Sequence, residues 1–400
     1  MEFKLNPAQE AIKARAVGFV RDVCGPMEKE WPLSDFDATP EQIEHLRKSF
    51  DEYGFRGMAI PESSGGTGVG MLAKCLVYEQ LKSSFVTCGN VALWAGYIDP
   101  PPALFTAPKA QQDKYLKPVL EGKKQYHIAI SEPGAGSDAA GITTTARREG
   151  DYYVIDGIKR WTQDPTHPYV APDYLVVYAV TEPGIGYKGI SSFLVDYPIE
   201  GVRVVKQMET MATGTVLGRV VDLEFKNCIV PAGNLLGEAG KGFANFQEQL
   251  NRNRTVISAG AVGIANRCLS IAASYANERK TFGAPLADRQ AIQWMLADSA
   301  TDVATGRLLA HIAADKIDRG EDARVEAAMA KAYCPRMACR VIDRTIQVLG
   351  GIGTLMESRL RDAYFHQRIL CIAEGSEEAM KMTVAKSVLA GWGQAESACA

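Results

Sequence analysis

The chain has 400 residues, of which 46% are hydrophobic and 23% are charged, a composition typical of a globular protein with a large core. The formal net charge of −3 argues against a nucleic-acid groove, and no apolar run with polar flanks approaches the about 18 residues of a membrane span. The nine cysteines are odd in number and contain no CxxC pair, so we expect neither a disulfide framework nor a metal site. The N-terminus lacks a signal or transit pattern, which favours a cytoplasmic protein.

Residues 1–122 are predicted to form an α-helical domain. Apolar residues recur there with helical spacing in two stretches, and the pattern is broken at Pro61 and at the three prolines 100–102. These apolar residues are Ile12, Val17, Val20, Leu72, Leu76 and Leu81.

Residues 123–235 are predicted to form a middle β domain. β-branched and aromatic residues dominate five segments that Gly, Asp and Pro turns separate, and this pattern favours an antiparallel β-barrel or sandwich. The segments are 152–158, 174–180, 190–195, 202–205 and 219–225.

Within this region the segment 128–138, IAISEPGAGSD, passes from an apolar run into a glycine-rich turn. Gly134 and Gly136 allow the backbone to approach a ligand closely, and Ser131 and Ser137 add hydroxyl donors for a phosphate or a polar ring edge. A plain turn between strands is the alternative. Trp161, in GIKRWTQDP, could cover a planar cofactor or could be a core residue.

Residues 236–400 are predicted to form a C-terminal four-helix bundle. Long alanine-rich helical stretches cover 242–276, 286–319 and 323–349, and a shorter helix follows Glu377. The protein is therefore predicted to be mainly α with a central β domain.

Three further motifs lie in this last region. ERKTFGAPLADRQ connects two helices and contains an arginine, Arg279, that could grip a phosphate; a plain helix connection is the alternative. In QVLGGIGT, the pair Gly350 and Gly351 could contact a ligand or could end a helix. In IAEGSEEAM, Glu374 precedes Gly375 where a loop is predicted to meet the last helix, which Glu374 could cap.

Together these motifs, in this order and spacing, resemble the acyl-CoA dehydrogenase family of FAD flavoenzymes across essentially the whole chain. The resemblance implies the three-domain fold predicted above, bound FAD and assembly as a homotetramer, with a homodimer as the alternative. It further implies an acyl-CoA substrate, electron transfer to an electron-transfer flavoprotein, and no nucleic-acid partner.

The resemblance also assigns residues to sites. For FAD of the same subunit they are Ile128, Ile130, Ser131, Gly136, Ser137, Trp161 and Thr162. For FAD of a neighbouring subunit they are Arg279, Thr281, Phe282, Gln347, Gly350 and Gly351, and further cofactor contacts are assigned to Gln290, Ser376 and Glu378. For the substrate they are Ser137, Trp94, Asn251, Arg254 and Gly375, and Trp94 with Tyr97 predicts a compact acyl pocket.

The reaction implied is removal of an α-proton by a carboxylate on one side of Cα and hydride transfer to FAD on the other. Glu374 is the expected base, because Asn251 and Asn253, where some relatives place it, cannot accept a proton. The chain departs from the family after Trp161, where TQDPTHPYVAPD replaces an Ile-Thr-Asn run. An acyl-carrier-protein substrate or a flavin monooxygenase or oxidase activity is the alternative, although the latter generally lack this glutamate.

Overall fold

The computed structural model describes residues 5–30, 39–88, 99–166, 171–212 and 219–395. The helices are α1 (Pro7–Phe19), α2 (Gly25–Glu30), α3 (Pro40–Glu52), α4 (Met71–Leu81), α5 (Phe85–Cys88), α6 (Lys109–Gln111), α7 (Lys117–Leu120), α8 (Gly242–Glu278), α9 (Gln290–Asp318), α10 (Arg324–Leu349), α11 (Leu360–Leu370) and α12 (Glu377–Ala395). The strands are β1 (Tyr126–Ala129), β2 (Thr145–Glu149), β3 (Tyr152–Gln163), β4 (Tyr174–Val180), β5 (Ile190–Asp196), β6 (Val202–Glu209), β7 (Arg219–Pro231), β8 (Leu235–Leu236), β9 (Lys280–Thr281) and β10 (Ala284–Pro285).

By compactness the chain divides into two units. Unit 1 contains Met1–Met58, Val69–Asn90 and Asn251–Ala400, whereas unit 2 contains Ala59–Gly68 and Val91–Leu250. Most helices before the sheet therefore share a unit with those after it. The division by element type at residues 122/123 and 235/236 stays a prediction.

The N-terminal helices of unit 1 begin at capping boxes. Asn6 Oδ1 accepts a hydrogen bond from the Gln9 backbone N–H at 2.9 Å, and the Gln9 side chain accepts one from the Asn6 N–H at 3.0 Å. Thr39 and Gln42 repeat the arrangement before α3. Each pair satisfies backbone donors that a helix leaves free at its first turn, so the sequence itself fixes these starts.

The core of unit 1 includes buried apolar residues of α8, α9, α10 and α11, many of them alanines. A Cβ atom on Gly263 of α8 would lie 2.0 Å from the backbone oxygen of Glu79 on α4, so this crossing requires glycine. The carboxylate of Asp318, at the end of α9, accepts the backbone N–H groups of Met71 and Leu72 and so caps α4.

Most of the predicted helices are confirmed, with differences at particular residues. α9 begins at Gln290 and not at 286, because Leu286–Asp288 form a 3₁₀ turn after Pro285. α11 was not predicted; it follows Arg359, which adopts a left-handed conformation with φ of 57° where glycine is the usual signal. Of the apolar residues with helical spacing in α1, Ile12 is buried, whereas Val17 is 46% exposed.

The expectation that no stretch resembles a membrane span is wrong for α8 by length and composition alone. Within the described residues, α8 is the helix long and apolar enough to cross a bilayer. However, 67% of its most apolar window is buried inside the structure, and Val262, Ala265 and Cys268 lie in the core of unit 1. These are the properties of a core helix.

Unit 2 contains an eight-stranded sheet in the order β6-β7-β3-β2-β4-β5-β8, with β1 paired to β4. The five predicted strands are confirmed as β3 to β7. The pairing is not wholly antiparallel as predicted, because β1 and β2 each run parallel to β4. The connection from β1 to β4 passes through two other strands, which gives the chain the length that a parallel pairing needs.

Both faces of β4 are buried, which explains its continuous apolar sequence YLVVYAV. On one face Tyr174 packs against Tyr115, with ring centroids 4.9 Å apart. On the other side of the sheet, Tyr153 of β3 contacts Phe193 of β5 at 4.9 Å, although these strands are not neighbours in the sheet. The sheet therefore folds back around an apolar interior, as a barrel or sandwich does.

Candidate active site

The glycine-rich turn of unit 2 lies directly after β1. The backbone N–H groups of Glu132 and Ala135 each donate to the other residue's carbonyl, at 2.9 and 3.1 Å, and close the turn. A Cβ atom on Gly134 or Gly136 would meet no other atom within 4 Å. These glycines are therefore not required by packing inside unit 2, and they leave open space where a ligand can approach the backbone.

A buried ion pair anchors this turn to β3. Lys159 Nζ donates to Glu132 Oε1 at 2.8 Å and to the Ile130 carbonyl at 3.0 Å, and the two side chains are 0% and 5% exposed. The same carboxylate accepts the backbone N–H groups of Thr143 at 2.7 Å and Thr144 at 2.9 Å. Both oxygens of Glu132 are thus satisfied, as a buried carboxylate requires.

The two charges shift each other's titration. Burial by itself raises the pKa of Glu132, but the Lys159 charge and the hydrogen bonds outweigh it and lower the pKa to about 2. Burial lowers the pKa of Lys159 to about 8, although the negative charge of Glu132 acts to raise it. At neutral pH both groups are charged, and the pair holds the turn in place.

Trp161 lies at a β-bulge of β3 and is not a core residue. The register between β3 and β7 shifts between Arg160 and Thr162, and the bulged tryptophan has φ of 65° and is 56% exposed. The Arg160 N–H donates to the Ser131 carbonyl at 2.7 Å, which ties the bulge to the glycine-rich turn. The bulge turns the indole outward beside that turn, where it can cover a planar ligand.

The residues after Trp161 carry unsatisfied polar atoms. Thr162 Oγ1 and Gln163 Nε2 are buried, and neither has a hydrogen-bond partner. Buried polar atoms without partners are uncommon and signal a missing ligand or water. The open glycine-rich turn, the exposed indole of Trp161 and the two buried polar atoms without partners fit the flavin that the resemblance implies.

In unit 1, Glu374 lies in a tight turn between α11 and α12. Glu374 has φ of 58° and Gly375 has φ of 103°, so two successive residues adopt the left-handed region. Ser376 Oγ accepts the Ala379 N–H and caps α12, which shows that the capping alternative for Glu374 is wrong. A strained conformation held by its surroundings is characteristic of functional residues.

The electrostatic environment of Glu374 is unusual. Burial raises the pKa of its carboxyl, and the charges of Arg254 and Lys331, together with the amide of Asn253, oppose that rise. Asn251 Oδ1 is buried without a hydrogen-bond partner. The carboxyl is thus easier to protonate than an ordinary glutamate, as a general base for a weakly acidic C–H bond requires.

Arg254 is buried on α8 beside this turn. Its Nε donates to the Glu374 carbonyl at 2.8 Å, and burial lowers the pKa of its guanidinium to about 10. A Cβ atom on Gly375 would lie 2.9 Å from Arg254 Nη2 and 2.8 Å from Met380 Cε. With φ of 103°, residue 375 has a backbone conformation that favours glycine, and any larger residue would also displace these two side-chain ends.

Two other predicted segments of unit 1 are exposed. β9 and β10 form a short hairpin with Phe282 at its tip, 100% exposed with φ of 48°. Arg279 precedes the hairpin and is exposed, and Gln290 opens α9. Gly350, with φ of 61°, ends α10, so the helix-end interpretation of QVLGG is confirmed; Gln347 and Gly351 are exposed as well.

The remaining predicted positions are distributed as follows. Ile130 is buried in the core of unit 2, Ile128 packs at its edge, Ser137 is exposed, and Ser376 and Glu378 open α12. Trp94 and Tyr97 lie outside the described residues. Among the residues that are described, no cluster of His, Cys, Asp and Glu could hold a metal ion. Sequence reasoning missed Lys159 and Lys331: Lys331 lies in the apolar run AAMAKAY, whereas Lys159 is directly followed by Arg160, and neither pattern by itself places a lysine in the interior.

Family models match nearly the whole chain. They are described as the acyl-CoA dehydrogenase N-terminal domain for residues 6–123, the middle domain for residues 127–228 and the C-terminal domain for residues 240–389.

Three similar proteins illustrate the match. The "3-(aryl)acrylate reductase" of Clostridium sporogenes is 34% identical over 360 residues, which cover 90% of this chain and 94% of the relative. The "Caffeyl-CoA reductase-Etf complex subunit CarC" of Acetobacterium woodii is 35% identical over 373 residues, with coverage of 90% and 95%. The structure of butyryl-CoA dehydrogenase from Megasphaera elsdenii superposes with a TM-score of 0.84 at 29% identity and covers 97% of this chain and 100% of that one.

Proposed function

Because the chain belongs to the acyl-CoA dehydrogenase family of FAD-dependent oxidoreductases, we propose that it converts an acyl-CoA thioester to the 2-enoyl-CoA. The observation that carries the proposal is Glu374, a carboxyl on a strained turn with a raised pKa beside two buried cations. This is the environment that α-proton removal needs. Unit 2 supplies the features that fit the flavin.

In the proposed reaction, Glu374 takes the α-proton as the bond between Cα and Cβ becomes double. Bound FAD would supply the acceptor for the hydride that leaves Cβ. The charges of Arg254 and Lys331 favour the ionised form of Glu374, while burial raises its pKa and so makes its carboxylate more basic. The exposed indole of Trp161 and the donors of Thr162 and Gln163 orient the flavin.

The reverse reaction is the second candidate, because two relatives are named as reductases. The same residues serve both directions, since the protonated Glu374 would return its proton to Cα of a 2-enoyl thioester. Reoxidation of the reduced enzyme by enoyl-CoA would measure this direction. One relative is named as part of an Etf complex, which supports an electron-transfer flavoprotein as the redox partner.

The proposed function predicts that the purified protein is yellow and that its flavin absorbance bleaches anaerobically on addition of an acyl-CoA. We expect short, branched or cyclic acyl groups to work better than a chain of about sixteen carbons, because Trp94 and Tyr97 are proposed to limit the pocket depth. A panel of acyl-CoA and acyl-carrier-protein thioesters measures both points. Bleaching by NADH, without response to any thioester, would refute the dehydrogenase proposal.

Arg279→Ala is expected to weaken FAD retention and subunit association together. We propose a homotetramer in which Arg279 reaches the FAD pyrophosphate of a neighbouring subunit through charge-assisted hydrogen bonds. The full exposure of Phe282 and the 62% exposure of Trp294 support a subunit contact here. FAD occupancy on dilution and the mass by light scattering measure the effect, with exposed Arg319→Ala as the control. Full FAD occupancy of the Arg279→Ala variant on dilution would contradict the assignment.

A further inference from the structure

Lys331 is a buried lysine of α10 that contacts the turn carrying Glu374. The lysine is 1% exposed, and its Nζ donates to the Leu370 carbonyl at 2.5 Å and to the Gly375 carbonyl at 3.1 Å. Leu370 is the last residue of α11, and Gly375 directly follows Glu374. One ammonium group therefore bridges both ends of the turn.

These carbonyls have a physical need for such a donor. The last carbonyls of a helix have no partner inside the helix, and residues in the left-handed region cannot continue one. An ammonium supplies up to three donors and makes charge-assisted hydrogen bonds, which are stronger than neutral ones. Arg254 Nε donates a hydrogen bond to the carbonyl of Glu374 itself at 2.8 Å. Two buried cations, Arg254 and Lys331, therefore bind backbone carbonyls of the turn that carries the reactive carboxyl.

We propose that Lys331 is a positioning residue: it fixes the turn that presents Glu374 and, while it is protonated, places a positive charge beside the carboxyl. The inference rests on the proposed function for its consequence in the reaction, since it assigns Lys331 the task of keeping the general base ionised and correctly oriented. Lys331 itself touches neither substrate nor flavin in this assignment.

Charged and polar groups of α8, of α10 and of the turn act on the two side chains. Glu374 faces Arg254 and Asn253 from α8 and Lys331 from α10. Lys331 faces Arg254, Glu374, Cys371 of the same turn and Cys334 of its own helix.

The sign of the effect follows from these neighbours. Burial and the Arg254 charge lower the pKa of Lys331 to about 8, so the lysine is protonated below that pH. A protonated lysine favours the ionised form of Glu374, and its removal raises the pKa of Glu374.

The test is the pH dependence of flavin reduction in a Lys331→Met variant, which keeps the length of the side chain and loses the charge. We expect the acid limb of the rate profile to move up by about one pH unit. Above about pH 8 the wild type also loses this charge, so the two profiles should converge there. An unshifted limb would overturn the inference.

Two further variants distinguish the effect of the Lys331 charge from a general loss of stability. Lys331→Gln keeps amide donors for the carbonyls but no charge, so it should show the same shift even if Lys331→Met folds poorly. Lys74→Met is the matched control, because Lys74 is a buried lysine of the same unit, 2% exposed, that does not act on Glu374. This control should lose thermal stability without moving the limb. A limb shift of equal size in Lys74→Met would show that the effect is not specific to Lys331.

A substrate-free measurement separates this inference from the proposed function. Infrared difference spectra between each protein and its Glu374→Gln counterpart report the protonation of this one carboxyl as the pH changes. We expect the Glu374 titration to move to higher pH in both Lys331 variants, whether or not any thioester reduces the flavin. The same titration in wild type and both variants would overturn the inference, whereas absence of bleaching by thioesters would refute the proposed function alone.

Discussion

Glu374→Gln is expected to lose flavin reduction by acyl-CoA almost completely while it still binds FAD and substrate. The amide keeps the shape of the carboxyl but has no lone pair basic enough to take the α-proton. Loss of a general base commonly reduces a rate by ~10²- to 10⁴-fold, and the effect should lie at the upper end because hydride departure needs the electrons that proton removal provides. Anaerobic stopped-flow at saturating substrate measures the rate of the chemical step directly.

The pH profile sharpens this prediction. Burial raises the pKa of Glu374, so its protonated form persists to higher pH than in an ordinary glutamate. The wild-type rate should therefore rise as the pH increases through that raised pKa, and the limb should vanish in the variant.

The matched control is Glu377→Gln. Glu377 lies three residues further on, and its carboxylate pairs with Lys381 at 2.6 Å and Arg336 at 2.9 Å. These hydrogen bonds lower the pKa of Glu377, so it is a poor proton acceptor and its replacement should leave the reduction rate within about tenfold of wild type. If Glu374→Gln also stays within about tenfold, the base lies elsewhere in the chain.

The sequence was sufficient to predict the helices and strands whose apolar periodicity extends over many residues. The strands from β3 to β7 and the helices α8 and α10 begin within two residues of their predicted starts, because apolar spacing and Gly, Pro and Asp turns agree there. α11 escaped prediction because its first turn follows an arginine in the left-handed region, which has no sequence signature. The parallel pairing of β1 with β4 depends on contacts distant in sequence, so local patterns could not reveal it.

The same contrast holds in the candidate site. The motif predicted Glu374, but the sequence did not predict its left-handed backbone conformation. Lysine is ordinarily an exposed residue, so the pattern gave no reason to place Lys159 or Lys331 in the interior. Their partners are backbone carbonyls and a carboxylate that become neighbours only after folding.

Glu132→Gln is expected to destabilise unit 2 and weaken FAD retention, because it leaves the Lys159 charge buried without its partner. Removal of one member of a buried ion pair typically costs about 3 to 5 kcal/mol in the free energy of unfolding. The glycine-rich turn should loosen as well, since Glu132 also accepts the backbone N–H groups of Thr143 and Thr144. Chemical denaturation at pH 6 to 7, where both groups are charged, and FAD titration measure the two effects.

The pH dependence of the wild type tests the same pair. The pKa of Glu132 falls from an ordinary 4.5 to about 2 in the folded protein, so its stabilisation is present above about pH 4.5 and is lost as the pH falls toward 2. The pKa of Lys159 is also depressed, from 10.5 to about 8. As the pH rises, the folded protein therefore releases this proton at a lower pH than the unfolded chain does. Considered alone, this group makes folding more favourable as the pH rises from about 8 to 10.5. The acid loss should disappear in Glu132→Gln.

Two comparisons show whether the effect belongs to the buried pair. Glu149→Gln breaks an ion pair with Arg147 in which the side chains are 38% and 66% exposed, and such exposed pairs contribute at most about 1 kcal/mol. Combining Glu132→Gln with Lys159→Met removes the stranded charge and should recover part of the lost stability, because the single variant is penalised mainly by the unpaired ammonium. If Glu132→Gln is no less stable than Glu149→Gln, the ion pair does not anchor the turn, and the fit of this turn to the flavin must depend on its backbone hydrogen bonds alone.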